Sequence, residues 1–101
     1  MSESTHKNNA PTGDRGQKQL VSGENALLRL WENEQPGQDS EMHTTPYETL
    51  GYCVSGKAVC HVDDETISIS PGVAWRVPAG TPHRYEILET LTAVESISPK
   101  P

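Results

Sequence analysis

Apolar residues in this chain come in short clusters and never in helical order. The segment up to about residue 19 holds almost none of them, while Asn8-Asn9, Pro11, Gly13 and Gly16 break it repeatedly. Such a stretch cannot bury enough surface to offset its ordering entropy, so residues 1–19 are expected to form a disordered tail with His6 in solvent. From Leu20 the pattern changes. Leu27, Leu28, Leu30 and Trp31 form a first β-segment, and a polar loop turned by Pro36-Gly37 follows. The spacing then predicts strands at 43–45, 49–54, 57–62, 66–69, 73–77, 83–88 and 92–97. Short strands at this density, parted by Gly, Pro and Asp turns, predict an all-β sandwich or barrel. No ten-residue window repeats with helical periodicity.

Period-2 alternation assigns faces. If Ser55-Gly56 is a two-residue hairpin turn, Thr49, Gly51, Cys53, Ala58, Cys60 and Val62 share one face. Leu50, Tyr52, Val54, Lys57, Val59 and His61 share the other. The strand 49–54 is then apolar on both sides, which is the pattern of a strand covered on both faces. A second subunit is the expected cover, giving a homodimer across Leu50, Tyr52 and Val54 with Leu27 or Trp31 nearby. The competing arrangement places these residues beneath a second layer of the same chain.

Composition narrows the functions. The chain has 101 residues, 33% of them hydrophobic, and no Phe, so one small domain is expected. A net charge of −6 argues against a nucleic-acid surface, which needs a basic stripe. No apolar run is long enough to span a membrane, and the first residues lack a signal peptide's apolar region, so a cytoplasmic protein is expected. Cys53 and Cys60 are too few for a disulfide framework and read as reduced, strand-buried thiols.

Two motifs carry the candidate chemistry. Gly72, Pro78, Gly80 and His83 stand at the spacing Gly-x5-Pro-x-Gly-x2-His. Upstream lies His43-Thr44-Thr45-Pro46-Tyr47-Glu48-Thr49, then Gly56. Together they resemble the two signatures of the cupin superfamily, of the small single-domain, conserved-barrel type. The second signature lacks only its trailing Asn, where Ile87 stands. The resemblance implies a jelly-roll β-barrel (a double-stranded β-helix) over about residues 20–99, with side chains converging on an interior cavity.

In the most similar variant the first motif runs His-x-His-Pro-x-Glu-Gln. Its two histidines and Gln, with the His of the second motif, bind a metal; other cupins use Glu in place of Gln. Carried onto this chain, His43 and His83 fall on ligand positions, Thr45 on the second His and Thr49 on the Gln or Glu. The resemblance therefore implies a divalent transition metal (Zn, Fe, Mn or Ni) held by His43 and His83. A threonine hydroxyl is a poor ligand for such ions. Parity adds Thr45, Tyr47, Thr49, Cys53, Cys60 and Tyr85 as cavity candidates. Glu48 needs a bulge to turn inward, and His61, Arg76 and Arg84 fall on the outer face. Trp75 reads as barrel packing. The bland reading makes both histidines hydrogen-bonded interior residues without metal.

Three functions fit these residues. The first is a protein that binds a small molecule in its barrel, organised by His43 and His83 with or without the metal. The second is a metal-dependent dioxygenase or isomerase acting on a small polar or sugar-derived substrate. The third is a structural or regulatory dimer with a filled interior.

Overall fold

The computed structural model describes residues 2–38 and 41–101. Among these residues seven strands follow one another: β1 (Lys18–Ser22), β2 (Leu27–Glu34), β3 (Gly37–Gln38), β4 (Glu48–Val62), β5 (Glu65–Ile69), β6 (Ala74–Val77) and β7 (His83–Ser98). All pairings are antiparallel, and hydrogen bonding runs β1-β2-β7-β4-β5, with β3 added to β7 and β6 to β4. This is the jelly-roll barrel the sequence predicts.

Two long strands replace the hairpin predicted at Ser55-Gly56 and the separate strands predicted at 83–88 and 92–97. β4 runs unbroken through Ser55-Gly56, and β7 through 89–91. They pair along their whole length, from Glu48↔Ser98 to Val62↔His83, with register shifts between Cys53 and Ala58. The Ser-Gly dipeptide makes a bulge here, not a turn, because β7 offers a partner to both halves of β4. Gly56 has φ 91°, and a Cβ there would lie 2.1 Å from the Thr90 carbonyl oxygen. Only glycine allows that approach. The irregularity changes parity as a two-residue turn would, so the predicted faces survive. Cys53, Ala58, Cys60 and Val62 are buried together with Trp75, Val77, Leu91 and Ala93, whereas Leu50, Tyr52 and Val54 stay half exposed. Among the described residues, no second layer covers them.

The bulge divides the ribbon into halves with different neighbours. The first half of β4 and the second half of β7 join β6 and β2; the other halves join β5 and β3. The space between these two parts holds the cavity.

The N-terminal segment carries local hydrogen-bonded structure. Met1 lies outside the described residues. Lys7–Asn9 form a 3-10 turn, Gly13 N–H donates to the Gln17 carbonyl at 2.7 Å, and Gln19 N–H to the Pro11 carbonyl at 2.8 Å. The boundary at residue 20 falls inside β1. Polar contacts do what apolar burial cannot: Lys7 and Lys18 both pair with Glu32 on β2. The strand expected at 43–45 is reduced to one bridge, His43↔His83.

Candidate functional site

Two loops carry the motif residues and are stitched by the backbone. Pro71 and Gly72 occupy the corners of a turn closed by Val73 N–H to the Ser70 carbonyl at 3.0 Å, and Gly72 supplies the required positive φ of 92°. β6 then leads to the turn Pro78-Ala79-Gly80, where Gly80 has φ 73° and donates its N–H to the Thr45 carbonyl at 2.8 Å. His83 opens β7 and exchanges two backbone hydrogen bonds with His43, each 2.9 Å.

These bonds bring the two imidazoles together, with ring centroids 4.5 Å apart and planes at 53°. His83 Nδ1 lies 2.9 Å from the Thr81 carbonyl. A carbonyl only accepts, so Nδ1 carries a proton and Nε2 is the ring's remaining acceptor in the neutral form. Tyr85, next inward on β7, meets His83 edge-on at 6.0 Å. Its hydroxyl accepts from Trp75 Nε1 at 3.0 Å, across the cavity wall. Burial first, then the Glu95 charge and the Cys60 contact, push the Tyr85 phenol well above its usual range.

The cavity measures about 790 Å³, within the range of small-molecule sites. His43, His83, Thr45, Tyr47, Thr49 and Tyr85 all line it. Cys53 and Cys60 do not: they are 0% exposed in the packed core. Their inward face is correct, but that face serves the cavity at one end of β4 and the core at the other. Cys60 lies opposite Tyr85 in the β4–β7 register. The Cys53 thiol faces the Ser55 and Gly56 carbonyls of the bulge, and burial pushes its pKa up despite the Ser55 contact. Trp75 belongs to both the core cluster and the cavity lining. Arg76 and His61 lie outward, as expected, against Glu48 and Glu86.

Sequence reasoning missed the second pole of the cavity. Arg29 and Trp31 project inward from β2, and Glu95 from β7. Trp31 therefore lines the cavity and is not part of the outer face. Arg29 Nε and Trp31 Nε1 both donate to Glu95 Oε1, at 2.8 and 2.5 Å. Burial lowers the Arg29 pKa, but Glu95 and Tyr47 outweigh it and the guanidinium ends above its ordinary value. The missed signal was parity: Glu95 is in phase with Leu91, Ala93 and Ile97 on an otherwise apolar face of this half of β7.

The donor set does not fit a resident transition metal. Two imidazoles converge, while Thr45 Oγ1 donates to the Tyr47 carbonyl at 2.9 Å and Thr49 offers a neutral hydroxyl. Among the described residues, no group of three or more His, Cys, Asp or Glu is placed to hold an ion.

Comparison with known proteins agrees with this architecture. No curated protein matches the sequence. An RmlC-like cupin from Shewanella frigidimarina superimposes with a TM-score of 0.83, at 14% identity, over 99% of this chain and 93% of its own. The polyketide cyclase RemF from Streptomyces resistomycificus gives 0.77 at 18% identity, over 99% of this chain and 81% of its own. KdgF from Halomonas sp. gives 0.74 at 21% identity, over 84% of this chain and 80% of its own. At these identities the likeness shows the fold alone. The family model described as "Cupin domain" matches residues 30–95, from the inward strand bearing Trp31 to the Glu95 that it contacts, and the chain belongs to that family.

Proposed function

We propose that this cupin binds a small organic molecule inside its barrel, and that His43 and His83 form one wall of the site. The supporting observation is the cavity itself: its volume suits a small ligand, and polar and aromatic groups from five separate segments converge on it. A protein with a filled interior has no such space. The metal-dependent enzyme is the weaker reading, because Thr45 and Thr49 stand where the resemblance requires ligands. The protein works as a cytoplasmic homodimer in this proposal. Its interface is the outer face of Leu50, Tyr52 and Val54, which the described residues leave half exposed.

A thermal-shift screen of small polar ring compounds tests the binding role. A ligand present at about 100 times its Kd adds about 2.7 kcal/mol of stability. Trp31 and Trp75 line the cavity and report occupancy by fluorescence. Compounds that stabilise the protein should also change that emission, and His83→Ala should weaken both effects. A library in which nothing stabilises the protein overturns the proposal.

A further inference from the structure

The second pole of the cavity carries an inference that rests on the proposed binding role and makes it specific. Arg29 and Glu95 face each other in the β2–β7 register, with side chains only 12% and 6% exposed. Both donors to Glu95, Arg29 Nε and Trp31 Nε1, fall on Oε1. Oε2 receives neither. No buried side-chain nitrogen or oxygen among the described residues lacks a partner, so Oε2 is not sealed in the protein; it opens on the cavity that Glu95 lines. Beside it lies a guanidinium held between two rings, 5.3 Å from the Trp31 centroid and 5.5 Å from that of Tyr47. Guanidinium has five N–H donors, and the bond to Glu95 Oε1 uses the one on Nε.

We infer that the Arg29–Glu95 pair is a recognition subsite for adjacent hydroxyl groups on a small ring, a sugar or cyclitol. One hydroxyl donates to Glu95 Oε2, and its neighbour accepts from Arg29. A vicinal diol supplies a donor and an acceptor side by side, which matches a carboxylate and a guanidinium side by side. A ligand carboxylate does not match, because it meets the Glu95 charge. The lining as a whole also offers no positive excess, since Asp14, Glu34 and Glu95 stand against Arg15 and Arg29. The aromatic walls suit the other half of such a ring. Trp31, Tyr47, Trp75 and Tyr85 present apolar faces to its C–H surface while its hydroxyl edge meets the ion pair. Fixing Arg29 before the ligand arrives lowers the ordering cost of binding.

The test uses ligand-observed NMR by saturation transfer on the full chain. The probes are myo-inositol and the methyl glycosides of glucose, galactose and mannose, against cyclohexanol as a ring with one hydroxyl. At least one polyol should receive saturation and cyclohexanol should not. Glu95→Gln should weaken that polyol by about 10- to 100-fold, the worth of a hydrogen bond to a charged group. Ser68→Ala, on the far strand β5, should leave it unchanged. Circular dichroism shows whether Glu95→Gln is folded; if it is not, the wild-type contrast between polyol and cyclohexanol still decides. Equal transfer to both classes, no transfer to any polyol, or a folded Glu95→Gln with unchanged affinity rejects the diol subsite. If the screen for stabilising ligands succeeds while the polyols fail, only this subsite is lost. If both fail, the binding role falls with it.

Discussion

Trp75 occupies the space that a side chain at Gly51 would need: a Cβ built on Gly51 lies 2.3 Å from Trp75 Cζ2. The two residues are partners in the β4–β6 register, and the indole covers the bare backbone of β4. The same indole donates its N–H to Tyr85, so Gly51 indirectly fixes one wall of the cavity. Gly51→Ala should therefore destabilise the fold by about 1–3 kcal/mol, the usual cost of overpacking. Urea unfolding measures that loss. Trp75 emission in the native state should shift as the indole is displaced, and an unchanged midpoint with unchanged emission refutes the relationship.

The incomplete donor set leads to a gain-of-function prediction. Wild-type protein incubated with zinc and then dialysed should retain little of it. Thr45→His with Thr49→Glu restores the four donors of the family pattern and should retain about one ion per chain. Elemental analysis of both proteins gives the comparison. Stoichiometric zinc in the wild type contradicts the reading of the site.

Glu32 gives the N-terminal segment a pH dependence. Hydrogen bonds from Lys7 and Lys18 lower its pKa from 4.5 to about 2. A depressed carboxylate contributes stability above its unfolded pKa and loses it as pH falls through the folded one. Between pH 4.5 and about 2 the attachment of residues 7–18 should loosen. Protection of the Gln19 amide from exchange, taken relative to the intrinsic rate at each pH, should fall across that window in the wild type. In Glu32→Gln it should already be low at neutral pH. Equal protection in the two proteins argues that the ion pairs do not hold the segment.

The outer face of β4 predicts the assembly. Sedimentation should show a dimer for the wild type and a folded monomer for Tyr52→Glu. Each large apolar side chain fully covered at such an interface contributes on the order of 1.5–3 kcal/mol before association costs. A monomeric wild type removes the proposal, and a dimeric Tyr52→Glu moves the interface elsewhere.

Much of this architecture was legible because strands repeat every two residues. Parity placed Thr49, Cys53, Cys60 and Val62 inside and Leu50, Tyr52 and Val54 outside, although the hairpin assumed at Ser55-Gly56 is a bulge. Glycine at positive φ serves either feature, so local sequence does not separate them; the distant strand β7 decides. The motif spacing brought His43 and His83 together across 40 positions. Arg29 and Glu95 stayed hidden because charged residues in strands are read as solvated by default. Their burial depends on each other: the phase of Glu95 with Ala93 and Ile97 marks it as inward, but its partner Arg29 appears only in three dimensions. The contacts of Lys7 and Lys18 with Glu32 escaped for a similar reason: they are ionic, and apolar content does not reveal them.

The long β4–β7 ribbon also orders the events of folding. Its inner end joins Val62 to His83 and its outer end joins Glu48 to Ser98, so the loop to be closed is shortest at the inner end. Closure entropy grows with loop length, and zipping outward from Val62 is the cheaper route. Pairings this distant in sequence make for slow folding. Truncating Val62 to Ala should then slow refolding, while truncating Ile97 to Ala should mainly hasten unfolding. Stopped-flow chevrons of the two variants distinguish this order from its reverse. The loop between β4 and β7 that closes first carries the Pro78-Ala79-Gly80 turn, so the nucleus of the barrel and one rim of its binding site are the same piece of chain.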